Sequence, residues 1–154
     1  MNEGFLGTNA RLYADLVLLI EIGMGLGLLA GTIFARMRRF RAHAVCQAAV
    51  VLLNLAIIVL VMVPSFLARV SPKIPLRLGK AYYALATAHG ALGSIVECAG
   101  LYILLAAGTK LLPEKLRITR YKLWMRSVLI SWWIVLLLGL ATYARWYIPH
   151  LFRP

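Results

Sequence analysis

Residues 12–35 read LYADLVLLIEIGMGLGLLAGTIFA, a run whose only charged side chains are Asp15 and Glu21. Coiled as an α-helix at ~1.5 Å per residue, it is ~36 Å long, more than the ~30 Å of hydrocarbon in a bilayer. Three more runs of the same character follow, at 44–67, 81–108 and 123–148. Each is much longer than the ~10 alternating residues of a barrel strand, and in lipid a helix satisfies all its own backbone amides. The whole chain of 154 residues, 62% hydrophobic with a mean hydropathy of +0.84, has more apolar surface than a soluble domain of this size can bury. The expectation is an all-α polytopic membrane protein: one membrane domain over 1–154, built as an antiparallel bundle of four transmembrane helices. No residues are left over for a soluble domain.

The net charge is +12. In a soluble protein this would suggest nucleic acid, but here Lys and Arg fall between and beside the apolar runs rather than along one helix face. Topology accounts for them, and the expected partner is the lipid bilayer, not nucleic acid. The first and third connections with Arg126 hold 10 Lys and Arg, against 7 for Arg11, the second connection and the tail. That imbalance favours both termini outside. Aromatic residues gather at the span ends as interfacial belts, with Tyr13, Phe66, Tyr82, Tyr83, Tyr143, Trp146 and Tyr147 at one face and Phe34, Phe40, Tyr121 and Trp124 at the other. The segment Met1–Ala10 lacks a basic signal-peptide start, so the first span is read as retained. Cys46 and Cys98 fall within spans and form no CxxC pair.

The short basic connection Arg36–His43 implies a tight hairpin between the first two helices. Pro72 and Pro75 mark the connection Ala68–Lys80 as non-helical, and Pro113 does the same for Thr109–Lys122. In the first helix, Gly23, Gly27 and Gly31 recur every fourth residue and form one groove that a neighbouring backbone can approach; Gly25 lies off it. The third helix repeats the spacing with Ala86, Gly90 and Ser94.

Polar groups at mid-depth cost several kcal/mol unless paired or hydrated, which makes them the informative residues in such a chain. Asn54 on the second helix and Glu97 on the third lie at matching depths, ~15 Å from one end, with Ser131 a little shallower on the fourth. Either Asn54 donates to Glu97 or Glu97 keeps its proton. Nearer the other face, Glu21 and His89 lie at ~12–14 Å depth and are expected to form a hydrogen-bonded acid–imidazole pair. That pair suits a structural contact, proton handling, a quinone headgroup, or support of a metal or haem ligand. Asp15 is expected to be hydrated near the surface, and Arg126 to snorkel to the headgroups.

His43 and His89 are the histidines in or next to spans, and His150 lies in the tail. His89 falls ~28 Å from the end of the bundle that holds His43, whereas two axial ligands of one haem need nitrogens ~4 Å apart. A single bis-histidine haem within one protomer is thereby excluded. The sequence holds no phosphate-binding glycine loop, no H-E-x-x-H and no Ser–His–Asp set at compatible depth, so an enzyme is not expected.

Arg41-Ala-His43 in the hairpin, Ala88-His89 early in the third helix, and Arg126, Trp132, Gly139 and Tyr143 along the fourth together give a layout over nearly the whole chain. It resembles the small YozB-like family of four-helix bacterial membrane proteins, whose characterised members help mature haem-copper terminal oxidases. The resemblance implies a bacterial cytoplasmic-membrane location and a non-catalytic accessory protein with a respiratory oxidase as partner. It also implies transient haem or copper contact at His43 or His89, with Glu21 beside His89; no cofactor or metal is identified. The family pattern has two further histidines where this chain has Ser65 and Tyr121, so each membrane face lacks one member of a pair. The stretch 36–47 then reads as a turn that sets topology, with His43 either a remnant or the active half of a site. Two other readings stand beside this one. One is a permanent small subunit docked through the Gly23–Gly31 groove, and the other a haem b- or quinone-binding redox protein.

Overall fold

The computed structural model describes residues 4–109, 111–117 and 119–148. Four long helices make up the molecule. The first is Leu12–Arg36, the third Ala81–Gly108 and the fourth Tyr121–Tyr147, while the second runs over 40–69. No sheet occurs among the described residues, and all four helices are long and apolar enough to cross a membrane. The chain is a four-span integral membrane protein of helical-bundle architecture.

The helices form a ring in which the first and third each pack against both the second and the fourth. Leu19, Leu26, Ile33, Leu60, Ile95, Ile130 and Leu137 point outward and are exposed, as expected of a surface solvated by acyl chains. The densest part of the interior is a cluster of Met24, Leu28, Val50, Val51, Val96 and Trp132, with Gly100 admitting Val51 and Trp132 beside it.

The first hairpin is tighter than its charge pattern implies. The second helix begins at Phe40, so the turn is only Met37–Arg39. Arg38 takes φ 58°, its N–H bonds to Ala35 O, and the N–H of Arg39 reaches back to Phe34 O. This is a Schellman termination with arginine where glycine is usual. Hereafter this end of the bundle, which also holds the connection 109–120, is the hairpin end; the other holds the N-terminal segment and the connection 70–80.

Two expectations about proline need correction. The connection Ala68–Lys80 is not free of helix: it contains a 3₁₀ turn at Ser71–Lys73 and an α turn at Ile74–Arg77, with Pro72 and Pro75 in their first turns. The connection 109–122 likewise holds a 3₁₀ turn, Glu114–Leu116, directly after Pro113. A proline there surrenders an N–H that would have no intrahelical partner, so it starts these turns rather than preventing them. Within the second helix, the α-helix Phe40–Ile57 passes into a π turn, Ile58–Met62, before Val63–Arg69 resumes α geometry with Pro64 in its first turn. The ring of Pro64 crowds the carbonyl of Leu60 and offers it no N–H, and the wider i→i+5 bond from Val63 N–H to Ile58 O absorbs the mismatch.

Candidate functional site

A cavity of about 490 Å³ lies between the four helices in the half of the bundle towards the N-terminal end. Its existence follows from the second helix. Below the π turn that helix packs closely on the first and third helices, whereas residues 58–69 make few backbone-level contacts with any other span. Near the surface the helix is drawn back by side chains, with Phe66 and Val70 packing against Tyr82, Tyr83, Ala86 and Trp146. The space between these two attachments is the cavity, and Ile58, Val61, Met62 and Ser65 line it.

Polar groups occupy three levels in it. At the level nearest the N-terminal end, Arg69 donates through Nη1 to Tyr147 Oη at 3.2 Å and through Nη2 to Tyr13 Oη, and its guanidinium lies 5.7 Å from the Tyr13 ring centroid. Arg69 thus ties the second helix to the first and fourth, with no carboxylate partner among the described residues.

The middle level holds Glu21 and His89. A Cβ added to Gly139 would lie 2.9 Å from Glu21 Oε2 and 2.9 Å from His89 Cε1, so glycine at 139 is what lets both side chains enter the same space. The expected acid–imidazole hydrogen bond is not made. His89 Nδ1 instead faces Val135 O at 3.0 Å, an acceptor, so Nδ1 carries a proton, and in the neutral form of the ring Nε2 is an acceptor. Glu21 has no hydrogen-bond partner among the described residues.

At the cavity floor Asn54 Nδ2 donates to Glu97 Oε2 at 2.8 Å, which is one of the two arrangements the sequence allows. Glu97 is 4% exposed, and its Oε1 has no partner. Ser131 makes no hydrogen bond to it, because Trp132 is the fourth-helix residue that turns inward at this layer. Thr87 Oγ1, also lining the cavity, is buried without a partner.

His43 is not part of this site. Its Nδ1 contacts Gly31 O at 2.8 Å near the hairpin end, whereas His89 is level with Glu21. Ten residues of the first helix separate those contacts, ~15 Å along the axis. The two histidines cannot share one haem. His150 lies outside the described residues. Ser65 lines the cavity, and Tyr121 donates to Ala106 O at 3.2 Å at the hairpin end. Among the described residues no three His, Cys, Asp or Glu side chains gather closely enough to hold a metal ion.

Of the glycine stripe, Gly27 faces Val50 and Gly31 faces Gln47, but Gly23 meets nothing within 4 Å. Gly25, off the stripe, abuts Leu136 and Trp133 of the fourth helix. The groove is therefore not continuous.

Asp15 also departs from expectation. It is fully buried, accepting backbone N–H bonds from Phe5 at 2.8 Å and Leu6 at 3.0 Å and a hydroxyl bond from Tyr143 at 2.6 Å. A segment before the first helix folds over the bundle end and supplies donors in place of water. The roles of Asp15, Thr87, Arg69 and Gly139 were not readable from the chain, since Arg69 looks like one more loop charge and a lone glycine in a span has no periodic signal. Compared with family models, curated proteins and solved structures, the chain matches none.

Proposed function

We propose that this chain is a non-catalytic accessory protein of a bacterial cytoplasmic membrane, with both termini outside, that holds a small lipid-soluble molecule between its helices while assisting assembly of a haem-copper respiratory oxidase. The observation that carries the binding role is the cavity itself: about 490 Å³, contacted by all four helices, with apolar walls and a few unsatisfied polar groups. That size and composition are those of small-molecule pockets. The oxidase as partner is supported by the resemblance in residues 41–43, 88–89 and 126–143. A haem gripped by two histidines of one chain does not fit the donor set, since His89 is the one imidazole among the described residues that line the cavity.

A second reading, a permanent subunit of a larger complex, is favoured by Gly23, which is exposed on the bundle surface with open space above it. Such a gap in a lipid-facing helix suits close approach of another helix.

Purification of the full chain in mild detergent, with identification of co-purifying proteins and mass spectrometry of extracted small molecules, tests both. Sub-stoichiometric oxidase subunits and a retained molecule that Gly139→Leu expels are expected. A fixed stoichiometry with a large complex, and no extracted molecule, would establish the subunit reading instead.

A further inference from the structure

Apart from hydroxyls such as Thr87 Oγ1, which can donate or accept, the free polar atoms of the cavity are of one kind. Glu21 offers both carboxylate oxygens, Glu97 offers Oε1, and His89 offers Nε2, all of them acceptors when the acids are ionised. Among the described residues, Asn54 spends one N–H on Glu97, and Arg69 bonds two tyrosines at the level nearest the N-terminal end. From Tyr13 to Glu21 is eight residues of the first helix, ~12 Å, so Arg69 does not reach the middle level. Among the described residues, Arg69 is the one Lys or Arg that lines the cavity. An unpaired carboxylate buried in an apolar chamber is costly, and a bound cation with N–H donors removes that cost.

We propose, building on the reading of the cavity as a ligand chamber, that its ligand is an amphiphile bearing a protonated amine. The ammonium sits at the middle level between Glu21 and His89 Nε2, within reach of the Gly139 backbone. The apolar part lies along Ile58, Val61 and Met62, where the second helix stands away from its neighbours and leaves a lateral way in from the bilayer. Glu97 Oε1, buried and without a partner among the described residues, provides a second polar station. It lies eight residues from His89 on the third helix, ~12 Å. A ligand with a second donor along its length would engage both stations. Trp132, Phe66 and Trp146 add aromatic wall for the apolar part.

The full-length protein in phosphatidylcholine nanodiscs is titrated with decylamine, decanol and decanoate, following tryptophan fluorescence and using Gly139→Leu, which fills the middle level, as the background for partition into lipid. Decylamine is expected to bind saturably and at least tenfold more tightly than the other two. Glu21→Gln and Glu97→Gln, which keep the side-chain shape, are each expected to weaken it, Glu21→Gln by tenfold or more. Circular dichroism melts confirm that the variants are folded, and Gly23→Ala, outside the cavity, leaves binding unchanged. Equal or tighter binding of decanol or decanoate, or undiminished amine binding in folded Glu21→Gln, overturns the amine as ligand while leaving the chamber intact. Absence of saturable binding by all three removes the chamber reading itself, and this inference with it.

Discussion

Asn54 and Glu97 show how much one hydrogen bond decides inside a membrane. Asn54 satisfies one of the two carboxyl oxygens at 2.8 Å, and the other has no partner among the described residues. Asn54→Ala leaves Glu97 with neither oxygen satisfied, and a loss of ~1–3 kcal/mol is expected, the desolvation cost of an abandoned polar group. Chemical or thermal unfolding in detergent measures it; Asn54→Ala together with Glu97→Leu should recover much of the loss, because both polar partners are then gone. Arg38 is the converse case, a residue whose backbone is held at φ 58° by the Schellman turn although its Cβ disfavours that region. Arg38→Gly is expected to stabilise the fold by ~1 kcal/mol. A lower melting temperature for that variant would show that the arginine side chain contributes more than the backbone conformation costs. At Gly139 a methyl group would press on Glu21 Oε2 and His89 Cε1 together, so Gly139→Ala should reduce ligand retention more than it reduces stability. Parallel extraction and melting measurements compare the two.

Among the elements, the first and second helices carry the cavity between them, one by its packing residues and the other by its π turn. In the first, the glycines are not equivalent. A Cβ on Gly27 would lie 2.8 Å from Val50 Cγ2, on a β-branched side chain with little rotamer freedom in a helix. Gly27→Ala is therefore expected to cost ~1–3 kcal/mol as overpacking. Gly23→Ala meets nothing within 4 Å and should be neutral or slightly stabilising by helix propensity. Equal losses for the two would mean that Gly23 is covered in the membrane, as the subunit reading requires. In the second helix, the π turn at Ile58–Met62 changes the direction of the residues that follow, and the cavity lies alongside that change.

For the molecule as a whole, four crossings place the turn 37–39 and the connection 109–120 on one side and the connection 70–80 on the other. With Cys46 and Cys98 replaced by alanine, single cysteines in place of Arg38 and Arg117 should react with a membrane-impermeant maleimide from the same side, and a cysteine in place of Lys80 from the opposite side. If both termini are outside, Lys80→Cys is the one labelled in intact cells. Labelling of all three from one side would contradict four crossings.

The number of helices, their approximate ends and the depth of each polar group were legible in the sequence. Run length and hydropathy act locally along the chain, and 1.5 Å per residue turns position into depth. So Glu21 could be assigned the level of His89, and Asn54 that of Glu97, before any contact was known. Rotation about each helix axis and the closeness of neighbouring backbones are not local properties. They decided that His89 bonds Val135 O rather than Glu21, that Gly139 makes room at the site, and that Asp15 is wrapped by the N-terminal segment instead of water. Depth along a helix is set by the chain's own geometry, but which side chains meet depends on how all four helices pack at once, and only the tertiary structure carries that information.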